Sequence, residues 1–154
     1  MRAMDEYNLF ACAEFWKDIR RLRKHIKPTF LECAFSDEEF EKISCAEKLD
    51  CIPILRQIST AIKNNIHKLE AIPNNDKNAR HQPFLSMDFV IWKMRWAVDK
   101  NGPRYGLRLM YCVKGKNIVL ANIKHKKEVK DSEIDFQAET IERLKYFFSY
   151  EYKK

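Results

Sequence analysis

Lys93, Arg95, Arg108, His125 and Lys127 are the side chains of this chain whose types and spacing could do acid–base chemistry on a phosphodiester. Lys114, Lys124, Lys126 and Lys130 extend the same charge and are read as contacts to an RNA backbone. Closely packed Lys and Arg can stabilise a phosphorane-like transition state. A nearby group of tuned pKa can take the 2′-hydroxyl proton or protonate the leaving 5′ oxygen. Such self-cleavage of RNA needs no metal, cofactor or covalent intermediate. His125 is the one nominated side chain with an ordinary pKa near neutrality, and a lysine crowded by other cations has its pKa lowered. Lys93 and Arg108 are expected beside one phosphate. Used only for binding, the same row would neutralise phosphates without reading sequence.

The charge distribution agrees with a polyanionic partner. The chain has 154 residues, a formal net charge of +7 and a pI near 9.1. Between Arg80 and Lys130 stand twelve Lys and Arg against three acids, so this third carries more than the whole net charge. Carboxylates are sparse there, which argues against a Mg²⁺ nuclease or a glycosidase. Only 3 Gly are present and no Gly-rich phosphate loop occurs. The 5 Cys have no CxxC spacing, so they read as buried reduced thiols rather than zinc ligands or a disulfide framework. No signal peptide and no membrane-crossing apolar run is read, and a cytoplasmic location is expected.

Three strands must position the basic row. From Val90 to Val98 the even positions are Val90, Trp92, Met94, Trp96 and Val98, with Lys93 and Arg95 between them. That alternation predicts a strand with its apolar face toward helices and its cations facing away. Residues 99–103 form a turn, 105–114 a second strand, and Lys114-Gly115-Lys116-Asn117 a hairpin into a third strand ending at Lys124. The meander brings Arg108 within cross-strand reach of Lys93 and Arg95.

The elements around the meander read as helices. Tyr7 to Cys12 is either an edge strand or the entry to a helix. Phe15, Ile19, Leu22 and Ile26 mark a helix stopped by Pro28. Ser36 and Glu39 form a capping box for a short helix to about Ser44, with a break around 46–49. Asp50 caps a longer helix carrying Ile54, Leu55, Ile58, Ile62, Ile66 and Leu69. Pro73 to Pro83 is a polar loop. The last helix begins near Asp131 and sets Ile134, Ala138, Ile141, Leu144 and Phe148 on one stripe. Together these predict one α+β domain over 1–154, a small antiparallel sheet of three to four strands packed against N-terminal helices, with a C-terminal helix.

The succession WKMRW, turn, GLRLMY, hairpin, IVLANIKHKKEV, helix resembles the RelE/ParE superfamily of bacterial type II toxins, nearest the RelE and HigB-like branch. EFWKDIRRLRKH resembles that family's first helix. The resemblance covers roughly Tyr7 to Lys24 and Phe89 to Phe148. It implies a microbial RNase-like fold with two N-terminal helices and one C-terminal helix. It also implies ribosome-dependent cleavage of mRNA and neutralisation by a cognate antitoxin. By the same resemblance Lys93 and Arg95 are the family's basic strand pair, Arg108 its next-strand arginine, and His125, Lys126 and Lys127 its basic cluster. Two departures stand out. Lys130 occupies the place of a tyrosine found in many members, and Lys27 to Leu49 is longer than the usual helix connection. A non-enzymatic alternative is a ParE-like gyrase inhibitor or a degenerate member that only binds a partner. The cations paired at Lys93 and Arg95 favour the nuclease.

Overall fold

The computed structural model describes residues 7–71, 90–129 and 134–152, with the side chains of 65–71 outside that description. The polar loop 73–83, the start of the last helix at 131–133 and Lys130 therefore fall outside the described residues, as do the side chains of the apolar positions Ile66 and Leu69. In chain order the elements are β1 (Asn8–Ala11), α1 (Phe15–Leu22), α2 (Asp37–Lys42), α3 (Cys45–Cys51), α4 (Pro53–Ala71), β2 (Ile91–Trp96), β3 (Leu107–Lys114), β4 (Asn117–His125) and α5 (Ile134–Tyr146). This is the α+β arrangement expected, and among the described residues four α-helices precede β2.

The sheet order is β1-β4-β3-β2. The three-strand meander is antiparallel as predicted, but β1 joins β4 in parallel. A hairpin fixes the direction of its own two strands. β1 reaches β4 only after the helices and the meander, so no turn imposes an antiparallel pairing on it. Gly115, at φ +62°, closes the β3–β4 turn in the left-handed region. Gly106 has another reason to be glycine. A Cβ there would lie 2.0 Å from the Trp96 carbonyl oxygen, so the GLRLMY glycine permits close approach of two backbones.

Both faces of the sheet are covered. On one face Trp92, Leu107, Leu109, Tyr111, Leu120 and Ile123 pack with Phe15, Ile19 and Leu22 of α1 and with Ile54, Leu55, Ile58 and Ile62 of α4. On the other, Ile91, Met110, Cys112, Val119 and Ala121 pack with Phe136, Leu144 and Phe147. A register shift at Met110/Tyr111 sets Met110 opposite Asn122 and Tyr111 opposite Leu120, leaving Ala121 as the extra residue.

Several local expectations are corrected. The break expected at 46–49 is α3, capped by Ser44 and Glu47 in a second complete capping box beside the Ser36–Glu39 one. Asp50 lies inside that helix, and α4 starts at Pro53 because Ile52 turns extended. The buried residues of α5 are Phe136, Thr140, Arg143 and Leu144; of the expected stripe Leu144 is buried and Ile141 and Phe148 pack against the same core, whereas Ala138 is exposed and Ile134 is 65% exposed. Two polar residues lie inside this helix face: Arg143 pairs with the buried Asp18 of α1, and the Thr140 hydroxyl donates to the Phe136 carbonyl at 2.8 Å and accepts from Asn122. Cys12 and Cys112 are buried, whereas Cys33, Cys45 and Cys51 are only partly so.

Candidate nucleic-acid interface

The meander aligns part of the basic row. Arg95 pairs with Arg108, and Arg108 with Lys124, so these three lie in one line across β2, β3 and β4 on the face that α5 covers. Lys93 occupies the next row with Met110 and Asn122. Arg95 is exposed and Lys93 half-buried.

Arg108 is not displayed to solvent. It is 2% exposed, and its guanidinium donates to the Pro103 carbonyl at 3.1 Å and the Arg104 carbonyl at 2.6 Å. It holds the short turn Pro103–Tyr105 against the start of β3. This corrects the expectation that Arg108 and Lys93 meet a phosphate side by side.

Lys124 is likewise committed. Its Nζ lies 3.4 Å from Glu139 and 3.9 Å from Asp18. These acids belong to a buried network that completes the edge of β4. β1 ends at Ala11, so the stretch of β4 beyond Leu120 has no strand on that side, and α1 lies along it instead. Asp18 accepts the Ile123 N–H at 3.2 Å, and Arg143 donates to the Ala121 carbonyl at 2.9 Å. Arg143 and Asp18 close a two-pronged ion pair, Arg143 Nη2 to Oδ1 being 3.1 Å. Two side chains thus satisfy the backbone groups a strand would have taken. Burial pushes the Asp18 carboxyl up, against the pull of Arg143, Lys124 and the Ile123 N–H. Glu139 pairs with Arg143 at 3.0 Å and accepts from Asn122. Burial opposes its charge, but Asn122 and Arg143 outweigh this and hold its pKa below the ordinary range. The sequence carried a signal for this network. Asp18 falls on the apolar stripe of its own helix, where a charge needs a partner.

His125 sits on the opposite face from the Arg95 row. Its cross-strand partner is Leu107, which belongs to the α1–α4 core, and its ring stacks on His25 with centroids 4.9 Å apart and planes at 19°. Its Nδ1 accepts the Lys127 N–H at 3.1 Å, leaving Nε2 to carry the proton of the neutral ring. Burial lowers its pKa, and His25 and Lys127 lower it further. His25, which the sequence did not single out, places Nε2 3.7 Å from Glu128. The turn Lys126–Glu128 is bound to the β3 start through Lys126 N–H to the Gly106 carbonyl at 2.9 Å.

One end of the sheet therefore gathers Arg95, the Pro103–Tyr105 turn, the His25–His125 stack and the Lys126–Glu128 turn. Lys127, Arg104 and Lys100 are exposed there, and Lys126 is half-buried. Tyr105 is 52% exposed, with the Arg104 guanidinium 5.7 Å from its ring centre. Lys114 is not part of this end. It lies six residues along β3 from Arg108, roughly 20 Å at strand rise, with its ammonium 4.9 Å from the Phe148 ring.

No protein-family model, no curated protein and no solved structure matches this chain.

Exposed cations beside an exposed aromatic can hold phosphates and stack a base. The stacked histidine pair adds two imidazole rings, and burial lowers the pKa of His125. His125 presents Nε2–H as a donor; to act as a base it would first release the Lys127 amide. Among the described residues no group of three or more His, Cys, Asp or Glu could hold a metal ion, and no helix is long and apolar enough to cross a membrane.

Proposed function

We propose that this chain is an RNA-directed toxin of the RelE/ParE type, which cleaves mRNA on the ribosome in the cytoplasm and is neutralised by a cognate antitoxin protein. The observation that carries the reading is the register at one sheet end. It sets Arg95 beside the Pro103–Tyr105 turn and ties that turn to the His125–Glu128 segment through Gly106 and Lys126. Arg95 and Lys127 contact RNA phosphates, with Lys93 and Lys126 flanking them. Tyr105 offers a stacking surface that stands in for the tyrosine replaced at Lys130. Arg108 acts as a positioning residue that fixes the Tyr105 turn. The His25–His125 pair handles the protons: the neutral His125 ring donates a hydrogen bond through Nε2, and it gives up a proton only from its imidazolium form. The chemistry requires neither metal nor cofactor: a base takes the 2′-hydroxyl proton as the 2′ oxygen attacks phosphorus, the bond to the 5′ oxygen breaks as an acid protonates it, and cations stabilise the charge between.

A second reading has its own support. Arg108 and Lys124 are engaged in structure, and His125 faces away from the Arg95 row. A chain with these cations so engaged would bind RNA or a protein partner without cutting. Induced expression followed by transcriptome-wide mapping of mRNA 5′ ends separates the two. New ends inside translated codons support cleavage. Growth arrest without new ends supports binding, and induction of a DNA-damage response points to gyrase.

A further inference from the structure

Two of the cysteines expected as buried reduced thiols, Cys33 and Cys51, are only partly buried and touch each other. Cys33 follows the turn Pro28–Phe30, and Cys51 is the last residue of α3. Their sulfurs are 2.8 Å apart, and both side chains are partly exposed. Cys33 also lines a cleft of about 390 Å³ between α1 and the 28–41 segment, with Trp16, Ile19, Leu31, Phe35 and Phe40 forming its apolar walls.

We propose that Cys33 and Cys51 form a reversible disulfide that fastens the 28–33 segment, one wall of this cleft, to the end of α3. Contact between two thiols of one chain removes the main geometric barrier to bridging. The Cys51 thiol donates to the Lys48 carbonyl at 3.4 Å, and burial together with Cys33 pushes its pKa up to about 12. Cys33, the one of the two that lines the cleft, is the sulfur that attacks first. The oxidant is a small-molecule disulfide. The Cys33 thiolate, after losing its proton to water, attacks one sulfur of that disulfide and forms a mixed disulfide with release of one thiolate. Cys51 then gives up its proton, attacks the Cys33 sulfur and releases the second. Two protein thiols are oxidised and one small disulfide is reduced to two thiols. Cys12 and Cys112 are buried within the α5-side core and do not compete.

Incubation of the full chain with oxidised glutathione, followed by alkylation and peptide mapping, tests this. The expected product links the Cys33 and Cys51 peptides, leaves three of the 5 cysteines alkylatable, and is reversed by dithiothreitol. Closing a loop of this size should raise the midpoint of thermal unfolding by roughly 5–10 °C. Cys33→Ser and Cys51→Ser should abolish both effects, and Cys45→Ser should leave both intact. Persistent glutathione adducts on Cys33 or Cys51, or a bridge that uses Cys45, would overturn the proposal. Peptide mapping of the unsubstituted chain decides the matter even if a serine variant fails to fold.

Discussion

Replacing Arg143 with methionine leaves the Asp18 carboxylate inside the protein with its principal partner gone. The Asp18 side chain is fully buried, and the Arg143 side chain is 7% exposed. Removing one member of a buried ion pair costs about 3–5 kcal/mol. Arg21 at 3.1 Å and Lys124 at 3.9 Å remain near Asp18, so about 3 kcal/mol is expected for Arg143→Met. Asp18→Leu leaves Arg143 with Glu139 as its remaining charged partner and orphans the Ile123 N–H, for a similar loss of about 3 kcal/mol. The double variant buries no unpaired charge. Its cost is the two orphaned backbone groups, Ile123 N–H and the Ala121 carbonyl, at about 1–3 kcal/mol each, offset by about 1–4 kcal/mol of desolvation no longer incurred. The double variant should therefore lose about 3 kcal/mol less than the sum of the singles. Urea unfolding at constant slope measures all three. Additivity within about 0.5 kcal/mol would refute the assignment of this pair as the closure of the β4 edge.

Arg108→Ala should destabilise the protein by about 3 kcal/mol, since charged hydrogen bonds to buried carbonyls contribute about 1.5–3 kcal/mol each; amide exchange should show the 103–106 turn opening first. Gly106→Ala should cost at least ~2 kcal/mol because the new Cβ meets the Trp96 carbonyl, while Gly102, with open space around it, should accept alanine with only the strain of its positive φ; thermal melts compare the two. The lowered pKa of His125 stabilises the fold above the ordinary histidine pKa of about 6.5, and that contribution is lost as pH falls through the folded value. Burial is its main cause; His25 and Lys127 add to it, and Glu128 and Asp99 oppose it. A His125→Asn variant should flatten the fall in melting temperature between pH 7 and 5, and NMR titration of the ring should give a midpoint below that of a free histidine. Tyr105→Ala should weaken binding of single-stranded RNA without changing the melting temperature, as read by fluorescence anisotropy.

The opening strand was the most legible part of the sequence. Period-2 alternation from Val90 to Val98 predicts which residues face α1 and α4; Trp92, Met94, Trp96 and Val98 do so, while Val90, just ahead of β2, is exposed. The same parity could not show that α5 covers the opposite face, because the α5 stripe was read from Ile134 and the actual one runs through Thr140 and Arg143. Polar residues inside a helix face are invisible to apolar periodicity. They become legible only with the charge they serve, and Asp18 lay in the sequence as an acid among Phe15, Ile19 and Leu22. Parity also fixes the face of His125 once the register is known, but a bulge at Met110/Tyr111 changes the phase along β4, and no residue type announces it. The second capping box, Ser44 with Glu47, was present as a motif identical in form to Ser36 with Glu39. The contact of Cys33 with Cys51 and that of His25 with His125 join segments whose pairing depends on how the helices pack, which local spacing does not encode.

The central proposal is that the exposed cations at one sheet end act on mRNA. It is tested most directly with purified protein, translating ribosomes and a defined message whose 5′ ends are mapped by primer extension. The unsubstituted chain should produce cuts within codons in the presence of a chelator. Arg95→Ala combined with Lys127→Ala should abolish them while leaving the unfolding curve unchanged, because both side chains are exposed. An intact message with the unsubstituted chain, or undiminished cutting by the double variant, would contradict the account.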